Sequence, residues 1–315
     1  MKTTIAIDIG GTQMRAASYP LDDLEPLTIN RISTHGVNLT PQERLTQLIK
    51  SVWPESGEVL SIGVAAPGPL NPKTGVLLSA PNIPEWKNFT LSKYIEAEFN
   101  TPTAAGNDAN LAALGEWKFG AGKGHHHMIY LTISTGVGGG VIIDDRLLVG
   151  ANGLAGELGH LTVSPDGPFC SCGQRGHLEA MASGPSIVRW VKEKLEDGVK
   201  SQIPRDEPLT PKLIAQAAQK GDELALGAFK RAGTFIGHAI ADFLHIFNPT
   251  AIIIGGGVSQ AGELILTPIK DAIPKYLFGP GYLEGLVILK AALGDDAGLM
   301  GALALSREML HRQQS

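Results

Sequence analysis

Two cysteines and two histidines lie close together in the middle of the chain. Cys170, Cys172 and His177 follow one another within eight residues, and His160 stands ten residues before Cys170. Two thiolates and two imidazoles make a closed S₂N₂ ligand set, the tetrahedral chemistry that suits zinc. These four side chains are therefore candidate ligands of a structural zinc ion.

The spacing leaves other roles for the cysteines open. Cys-x-Cys is not the Cys-x₂₋₄-Cys of a zinc finger, although Gly173 and Gly176 allow a tight turn that could gather the ligands. Cysteines are also found as small buried hydrophobic residues. A disulfide across one residue would be strained, and nothing else marks the chain as secreted. The pattern favours zinc.

Two glycine-rich turns offer a different chemistry. Residues 8–12 read Asp-Ile-Gly-Gly-Thr, and residues 134–140 read Ser-Thr-Gly-Val-Gly-Gly-Gly. Such turns expose backbone N–H groups and hydroxyls to phosphate oxygens, while an acid such as Asp8 can hold hydrated magnesium. One such segment is more often an ordinary tight turn, but two matching turns indicate a phosphate site.

Other glycine segments do not match known phosphate motifs. Residues 120–124 lack the Ser/Thr that must follow the lysine of a P-loop, and residues 255–260 lack the last glycine of the dinucleotide fingerprint. Both readings are rejected.

Asn107 and Asp108 precede an apolar helical run. Their commonest role is to cap a helix. The functional alternative makes Asp108 a base that takes a proton from an attacking hydroxyl, since phosphoryl transfer asks a protein chiefly for positioning and charge stabilisation.

Composition limits the class of protein. A chain of 315 residues is long enough for two domains. Its net charge of −5 gives no electrostatic case for nucleic acid or an anionic membrane as partner. The first residues read as a strand and not as a signal peptide. We expect a cytoplasmic protein, which agrees with reduced thiols.

The elements that position these residues alternate between strand and helix. Apolar β-rich runs end in glycines near residues 10, 68, 136 and 255. The first and third runs continue into another apolar run, so each predicts a hairpin, and together they suggest a duplicated domain. Apolar residues at helical spacing predict helices over residues 41–52, 91–99, 110–119, 185–195, 211–219, 222–247 and 297–310. This alternation predicts an α/β fold.

The motifs together resemble the ROK family of bacterial and archaeal sugar kinases, notably glucokinases, and related repressors. The resemblance covers residues 4–302 and rests on the two glycine turns, Asn-Asp-Ala-Asn, Glu-Leu-Gly-His and the Cys-Ser-Cys-Gly run. It implies an α/β, actin-like, Hsp70-like, sugar-kinase (ribonuclease H-like) fold of two domains around a cleft. The expected domains are residues 1–117 with 303–315, and residues 118–302 with the zinc-binding loop.

The resemblance also implies roles for individual residues. The catalytic base is Asp108. The sugar-binding residues are Gly68, Asn107, Asp108, Glu157, His160 and Glu179. The nucleotide-binding residues are Asp8, Gly10, Gly11 and Thr12, then Thr135, Gly136 and Gly138, and finally Gly255, Gly256 and Gly257 beside the adenosine. Cofactors would be ATP, Mg²⁺ and a structural Zn²⁺.

One position departs from the family pattern, because most members carry cysteine where His177 stands. Imidazole is a competent zinc ligand, so we expect zinc bound by His160, Cys170, Cys172 and His177, with a weaker or pH-sensitive site as a possible result. Four protein ligands leave no open position, so the ion would fix its loop and not catalyse. His125, His126 and His127 are assigned no role.

The function expected from this resemblance is ATP-dependent phosphorylation of a hexose at its 6-hydroxyl, with glucose as the leading acceptor. Fructose, mannose, N-acetylmannosamine and N-acetylglucosamine remain alternative acceptors, and polyphosphate an alternative donor. A sugar-responsive repressor is disfavoured, since only seven residues precede Asp8 and the chain is acidic. A sugar sensor without activity is disfavoured because Asp108 and both phosphate turns are intact. The expected assembly is a homodimer or homotetramer.

Overall fold

Two five-stranded sheets form the framework of the molecule. The computed structural model describes residues 1–80 and 82–314; Pro81 and Ser315, both in the expected first domain, lie outside this part of the chain. The strands are β1 (Lys2–Ile9), β2 (Gln13–Pro20), β3 (Thr28–Ser33), β4 (Glu58–Ala66), β5 (Leu70–Asn71), β6 (Val76–Leu77), β7 (Phe89–Thr90), β8 (Thr103–Asn107), β9 (Met128–Ile133), β10 (Val137–Ile143), β11 (Arg146–Leu147), β12 (Ala251–Gly255) and β13 (Val287–Lys290).

Both large sheets have the same topology. The first has the order β3-β2-β1-β4-β8 and the second the order β11-β10-β9-β12-β13. In each sheet, the first strand along the chain (β1 or β9) forms a hairpin with the second, and a third strand pairs antiparallel with the second. On the other side of the first strand, a fourth strand (β4 or β12) pairs parallel with it, and a fifth (β8 or β13) pairs parallel with the fourth. The predicted glycine hairpins and the predicted duplication are therefore confirmed. Strands β5, β6 and β7 form a small separate sheet.

Helices connect and cover the sheets. They are α1 (Pro41–Ser51), α2 (Leu91–Phe99), α3 (Asp108–Phe119), α4 (Leu178–Ala182), α5 (Gly184–Glu196), α6 (Pro211–Gln219), α7 (Glu223–Phe247), α8 (Glu263–Tyr276) and α9 (Ala297–Gln314). Side-chain caps at Thr40, Asn107, Ser183, Thr210 and Asp222 accept hydrogen bonds from N–H groups of the first turn, which otherwise lack partners.

The layers give three apolar cores. One lies between the first sheet and helices α1 and α2, and another between the second sheet and helices α4 to α8. The third lies between the two sheets, where α3 packs on β9 and β10 while α9 packs on β1 and β4. Helices α3 and α9 also pack against each other. They therefore join the two lobes, which we define as the first and second sheets with their outer helices.

The expected domain boundaries fall inside these two central helices. The boundary at 117/118 lies in α3, and the boundary at 302/303 lies in α9. The division of the chain at these points stays a prediction.

Within the described residues, no helix combines the length and apolar character needed to cross a membrane.

Candidate active site

A cleft of about 830 Å³ opens between the lobes, a size typical of ligand sites. Strands β1, β4, β8 and β9 all end at its edge, so the residues that follow their carboxyl ends line it. Ligands of open α/β sheets bind outside the carboxyl ends of the strands for this reason. The sheet topology therefore brings residues that are distant in sequence to one place.

Asp108 lies at the start of α3, on the floor of the cleft. Its carboxyl is open to the cleft, yet protein surrounds it on the other sides, and this burial raises its pKa to about 6. The Ala109 N–H, 2.7 Å from Asp108 Oδ1, opposes that rise in pKa, whereas the negative charges of Asp8 and Glu157 add to it. A carboxylate with this pKa can accept a proton near neutral pH.

Asn107 caps the same helix and also faces the cleft. Its Oδ1 accepts hydrogen bonds from the N–H groups of Ala109 and Asn110 at 3.1 and 3.2 Å. This leaves its Nδ2 group beside Gly68, where a Cβ would come within 2.5 Å of Nδ2. Asn107 thus performs the capping role and still presents an amide donor to the cleft.

The lining of the cleft is acidic. Asp8, Asp108, Glu157 and Glu179 line it, and within the described part of the chain its walls include no lysine or arginine. Such a lining suits a neutral ligand with many hydroxyls, since carboxylates accept several hydroxyl hydrogen bonds. A polyanion would be repelled unless a cation accompanied it.

The first glycine turn connects β1 to β2 beside the cleft. Thr34 donates through its hydroxyl to the Gly10 carbonyl at 2.7 Å and through its N–H to the Thr12 carbonyl at 2.9 Å. His35 Nε2 lies 3.1 Å from the Gly11 carbonyl. With the carbonyls held in this way, the N–H groups of Gly11 and Thr12 make no hydrogen bond within residues 1–80 and 82–314. Among the described residues they lack an acceptor, which suits the binding of an anion.

The second glycine turn, between β9 and β10, lies in the cleft wall. Thr135, Gly136 and Gly138 all line the cleft. Glu179 Oε2 accepts the Val137 N–H at 3.2 Å, and a Cβ on Gly136 would come within 2.6 Å of the same oxygen. Glycine at position 136 therefore leaves the space that this close approach of the carboxylate uses.

The third glycine segment lies behind the cleft. Gly255 and Gly256 pack on β9, where a Cβ would meet Tyr130 and the Ile133 backbone. Gly257 lies in the wall of a second cavity of about 450 Å³, and a Cβ on it would lie 3.8 Å from Ser134 Oγ. The second cavity thus begins next to the second glycine turn.

The predicted zinc ligands come together at one end of the cleft. The donor atoms of His160, Cys170, Cys172 and His177 all lie within 4.8 Å of one another. The two Nδ1 atoms are 3.3 Å apart, Cys170 Sγ lies 3.7 Å from His160 Nδ1, and Cys172 Sγ lies 3.3 Å from His177 Nδ1. Bond lengths of about 2.05 Å to nitrogen and 2.3 Å to sulfur give tetrahedral edges of roughly 3.3–3.8 Å. The cluster therefore has the donors and spacing of a tetrahedral metal site.

His160 connects this cluster to the cleft. Its Nδ1 faces the other donors, and its Nε2 lies 4.0 Å from Glu157 Oε2. One ring can therefore serve a metal with one nitrogen and a ligand in the cleft with the other.

Two residues beside this site, Arg15 and Ser171, were not predicted from the sequence. Arg15 stands opposite Asp8 across the first hairpin and pairs with the carboxylates of Asp8 and Asp296, each at 2.9 Å. The Ser171 hydroxyl donates to Glu179 Oε1 at 2.7 Å. Arg15 could have been found from the hairpin register, whereas no pattern in the sequence indicates the contact of Ser171.

Comparisons with known proteins agree with this geometry. Residues 4–309 match the ROK family. The chain is 36% identical to a glucokinase of Streptomyces coelicolor, over 98% of both chains. It is 30% identical to the DNA-binding transcriptional dual regulator NagC of Escherichia coli, over 98% of this chain and 73% of that one.

A solved structure agrees as well. The ROK family glucokinase from Streptomyces griseus in complex with glucose and AMPPNP is 35% identical, with a TM-score of 0.80 over 97% of this chain and 99% of that one. The predicted α/β sugar-kinase fold is confirmed, and the chain belongs to the ROK family.

Proposed function

We propose that this protein is an ATP-dependent glucokinase that transfers the γ-phosphoryl group of ATP to the 6-hydroxyl of glucose. The observation that carries the proposal is Asp108, a carboxylate with a pKa of about 6 on the floor of an acidic cleft. The similarity to a glucokinase that was crystallised with glucose and an ATP analogue supports the choice of both substrates.

In this mechanism Asp108 takes the proton of the sugar hydroxyl as its oxygen attacks the γ-phosphorus. The bond between the γ-phosphorus and the bridging oxygen breaks, and ADP leaves with the electron pair. Asn107, Glu157, His160 and Glu179 would hold the other sugar hydroxyls, since each lines the cleft with donor or acceptor atoms.

We further propose that the triphosphate lies between the two glycine turns. The free N–H groups of Gly11 and Thr12 and the hydroxyl of Thr135 suit phosphate oxygens. Since the lining contributes carboxylates and no lysine or arginine in the described ranges, Mg²⁺ held near Asp8 would supply the positive charge that the phosphates require.

The second cavity is the proposed site of the nucleotide base. Gly257 lies in its wall next to Ser134, so a nucleotide could pass from this cavity along the second glycine turn into the cleft. Phe229 offers an apolar surface there, and Gln216 and Gln260 offer amides. Gly255 and Gly256 would support this path from behind.

The Cys₂His₂ cluster is proposed to bind one structural zinc ion. Four protein donors complete its coordination, so zinc would hold the loop of Cys170 and Cys172 and would not act on substrate. We also propose that the protein works in the cytoplasm as a homodimer or homotetramer and contributes to carbohydrate metabolism by glycolysis.

The decisive experiment is a coupled assay of purified protein with a panel of hexoses and with ATP or polyphosphate as donor. We expect the highest kcat/KM for glucose with ATP. A higher kcat/KM for fructose, mannose or an N-acetylated hexosamine would overturn the acceptor, and no transfer to any sugar would overturn the kinase assignment. Asp108→Asn, purified in parallel, reports phosphorylation by contaminating enzymes.

A further inference from the structure

Glu179 connects two segments that come from different parts of the chain. Its Oε1 accepts the Ser171 hydroxyl at 2.7 Å, and its Oε2 accepts the Val137 N–H at 3.2 Å. Ser171 belongs to the loop of the Cys₂His₂ cluster, whereas Val137 lies within the second glycine turn and is the first residue of β10. One carboxylate therefore joins the metal loop to the proposed phosphate site.

The other neighbours of Glu179 make the Ser171 contact more important. Cys170 Sγ also lies 3.3 Å from Oε1, but a cysteine that binds a metal is a thiolate and has no proton to donate. With the metal bound, Ser171 and Val137 are the hydrogen-bond donors that the described residues supply to this carboxylate. A hydrogen bond to a charged group is worth more than a neutral one, so the Ser171 hydroxyl should restrict the carboxylate strongly.

We propose that Ser171 is a positioning residue that orients Glu179 and, through it, couples the sugar side of the cleft to the second glycine turn. Glu179 lines the cleft, so its orientation determines which sugar hydroxyls can donate hydrogen bonds to its carboxylate. Because Gly136 has no Cβ, the carboxylate can lie directly against the turn, where an added Cβ would come within 2.6 Å of Oε2. The coupling is specific to this contact, because the main chain of the loop is held by other hydrogen bonds, such as that from the Cys170 N–H to the Gln174 carbonyl. The choice of glucose as probe rests on the proposed function.

The first test measures glucose affinity by calorimetry on zinc-loaded Ser171→Ala, Ser171→Thr, Glu179→Gln and the double variant Ser171→Ala/Glu179→Gln. We expect about tenfold weaker glucose binding in Ser171→Ala, with metal content unchanged, and recovery to within about threefold in Ser171→Thr, which keeps the hydroxyl. In the Glu179→Gln background, Ser171→Ala should weaken glucose binding little further. Ser164→Ala is the control, since Ser164 lies in the same loop and its hydroxyl makes no hydrogen bond in the described ranges.

The second test does not depend on the sugar. Amide hydrogen exchange over residues 134–140 should become about five- to tenfold faster in Ser171→Ala and Glu179→Gln than in the wild type, and not in Ser171→Thr or Ser164→Ala. Unchanged exchange in Ser171→Ala would overturn the proposal. Faster exchange that occurs only in Ser171→Ala protein that has lost its metal would overturn it too. So would a Ser171→Ala effect of the same size in the Glu179→Gln background, where the carboxylate is absent. If wild-type protein does not phosphorylate glucose, the proposed function fails, whereas the exchange experiment still decides this inference.

Discussion

At the scale of single residues, the sequence indicated the acids and the metal ligands better than the contacts that orient them. Asp108 and Glu179 stand in recognisable motifs, so their presence in the cleft could be expected. Arg15 and Ser171 were not expected, because each acts on a partner that only the folded backbone brings near. A sequence shows which side chains have useful chemistry, whereas partners across strands and loops depend on register and on loop geometry.

The raised pKa of Asp108 predicts a pH dependence. The base must be ionised, so kcat/KM for glucose should fall as the pH drops through about 6 and should be nearly constant at higher pH. Asp108→Asn should lower kcat by about 10²–10⁴-fold, as is typical for loss of a general base. Steady-state rates from pH 5 to pH 8, measured over a range of glucose concentrations at saturating ATP, give both kcat and kcat/KM and test both expectations.

ATP itself titrates near this range, so the residual rate of Asp108→Asn serves as the control for the donor. If the rates of wild-type protein and Asp108→Asn depend on pH in the same way, the group that titrates is not Asp108. A variant that keeps more than about a tenth of wild-type kcat would remove Asp108 from the mechanism.

At the scale of elements, strong patterns predicted the structure well and interrupted patterns did not. The predicted helices over residues 91–99 and 211–219 have the observed bounds, because both carry apolar residues at helical spacing. Helix α8 was missed because Pro268 and Pro274 lie inside it and read as breaks in the pattern. Strand β13 was missed because it is short and exposed, so its residues show little alternation between apolar and polar.

The loop of the Cys₂His₂ cluster should depend on its metal. Cys172→Ser is expected to lose bound zinc and to weaken glucose binding together, because His160 contributes to both the cluster and the cleft. Elemental analysis of protein purified without chelator or nickel column should find about one zinc per wild-type chain. Wild-type protein that is free of metal and fully active would contradict the zinc proposal.

The carboxylate of Glu116, in α3, binds the segment that follows α3 and the segment that precedes α9. It is fully buried in α3 and accepts N–H groups of Ala121, Ala292 and Leu293 at 2.8, 3.1 and 2.8 Å. Glu116→Gln places an amide nitrogen against some of these donors. We expect it to lower the free energy of unfolding by about 2–4 kcal/mol, as removal of buried hydrogen-bond acceptors does.

Urea unfolding followed by circular dichroism tests this prediction. The matched control is Glu308→Gln, whose partly exposed ion pairs with Lys118 and Arg312 should each contribute less than about 1 kcal/mol. Equal stability of the Glu116 and Glu308 variants would show that the three N–H contacts do not matter.

At the scale of the whole molecule, the cleft has walls from both lobes. Asp8 lies near the end of β1 and Asp108 follows β8, both in the first sheet, whereas Glu157, His160 and Glu179 belong to the second lobe. The two lobes already touch at the rim, where Lys73 Nζ donates to the Ala151 carbonyl at 3.0 Å. A bound sugar would therefore contact both sides.

We expect glucose to draw the lobes together, because closure positions Asp108 and excludes water that would otherwise hydrolyse ATP. Small-angle X-ray scattering should give a smaller radius of gyration at saturating glucose than without sugar. An unchanged radius, with binding confirmed by calorimetry, would count against closure by sugar alone. Asp108→Asn is a useful companion, since it should bind glucose and close without turnover.

The position of α9 has a consequence for biosynthesis. This helix covers one face of the first sheet, and Arg307 in it donates to the Pro20 carbonyl, 287 residues earlier in the chain. During translation, β1, β2 and β4 therefore leave the ribosome long before the helix that shields them. Domains usually fold as units as they emerge, and exposed apolar surface favours aggregation. We expect the nascent first lobe to keep Ala6, Ala17 and Ala65 uncovered until α9 has been synthesised, which leaves an apolar surface that a chaperone could bind.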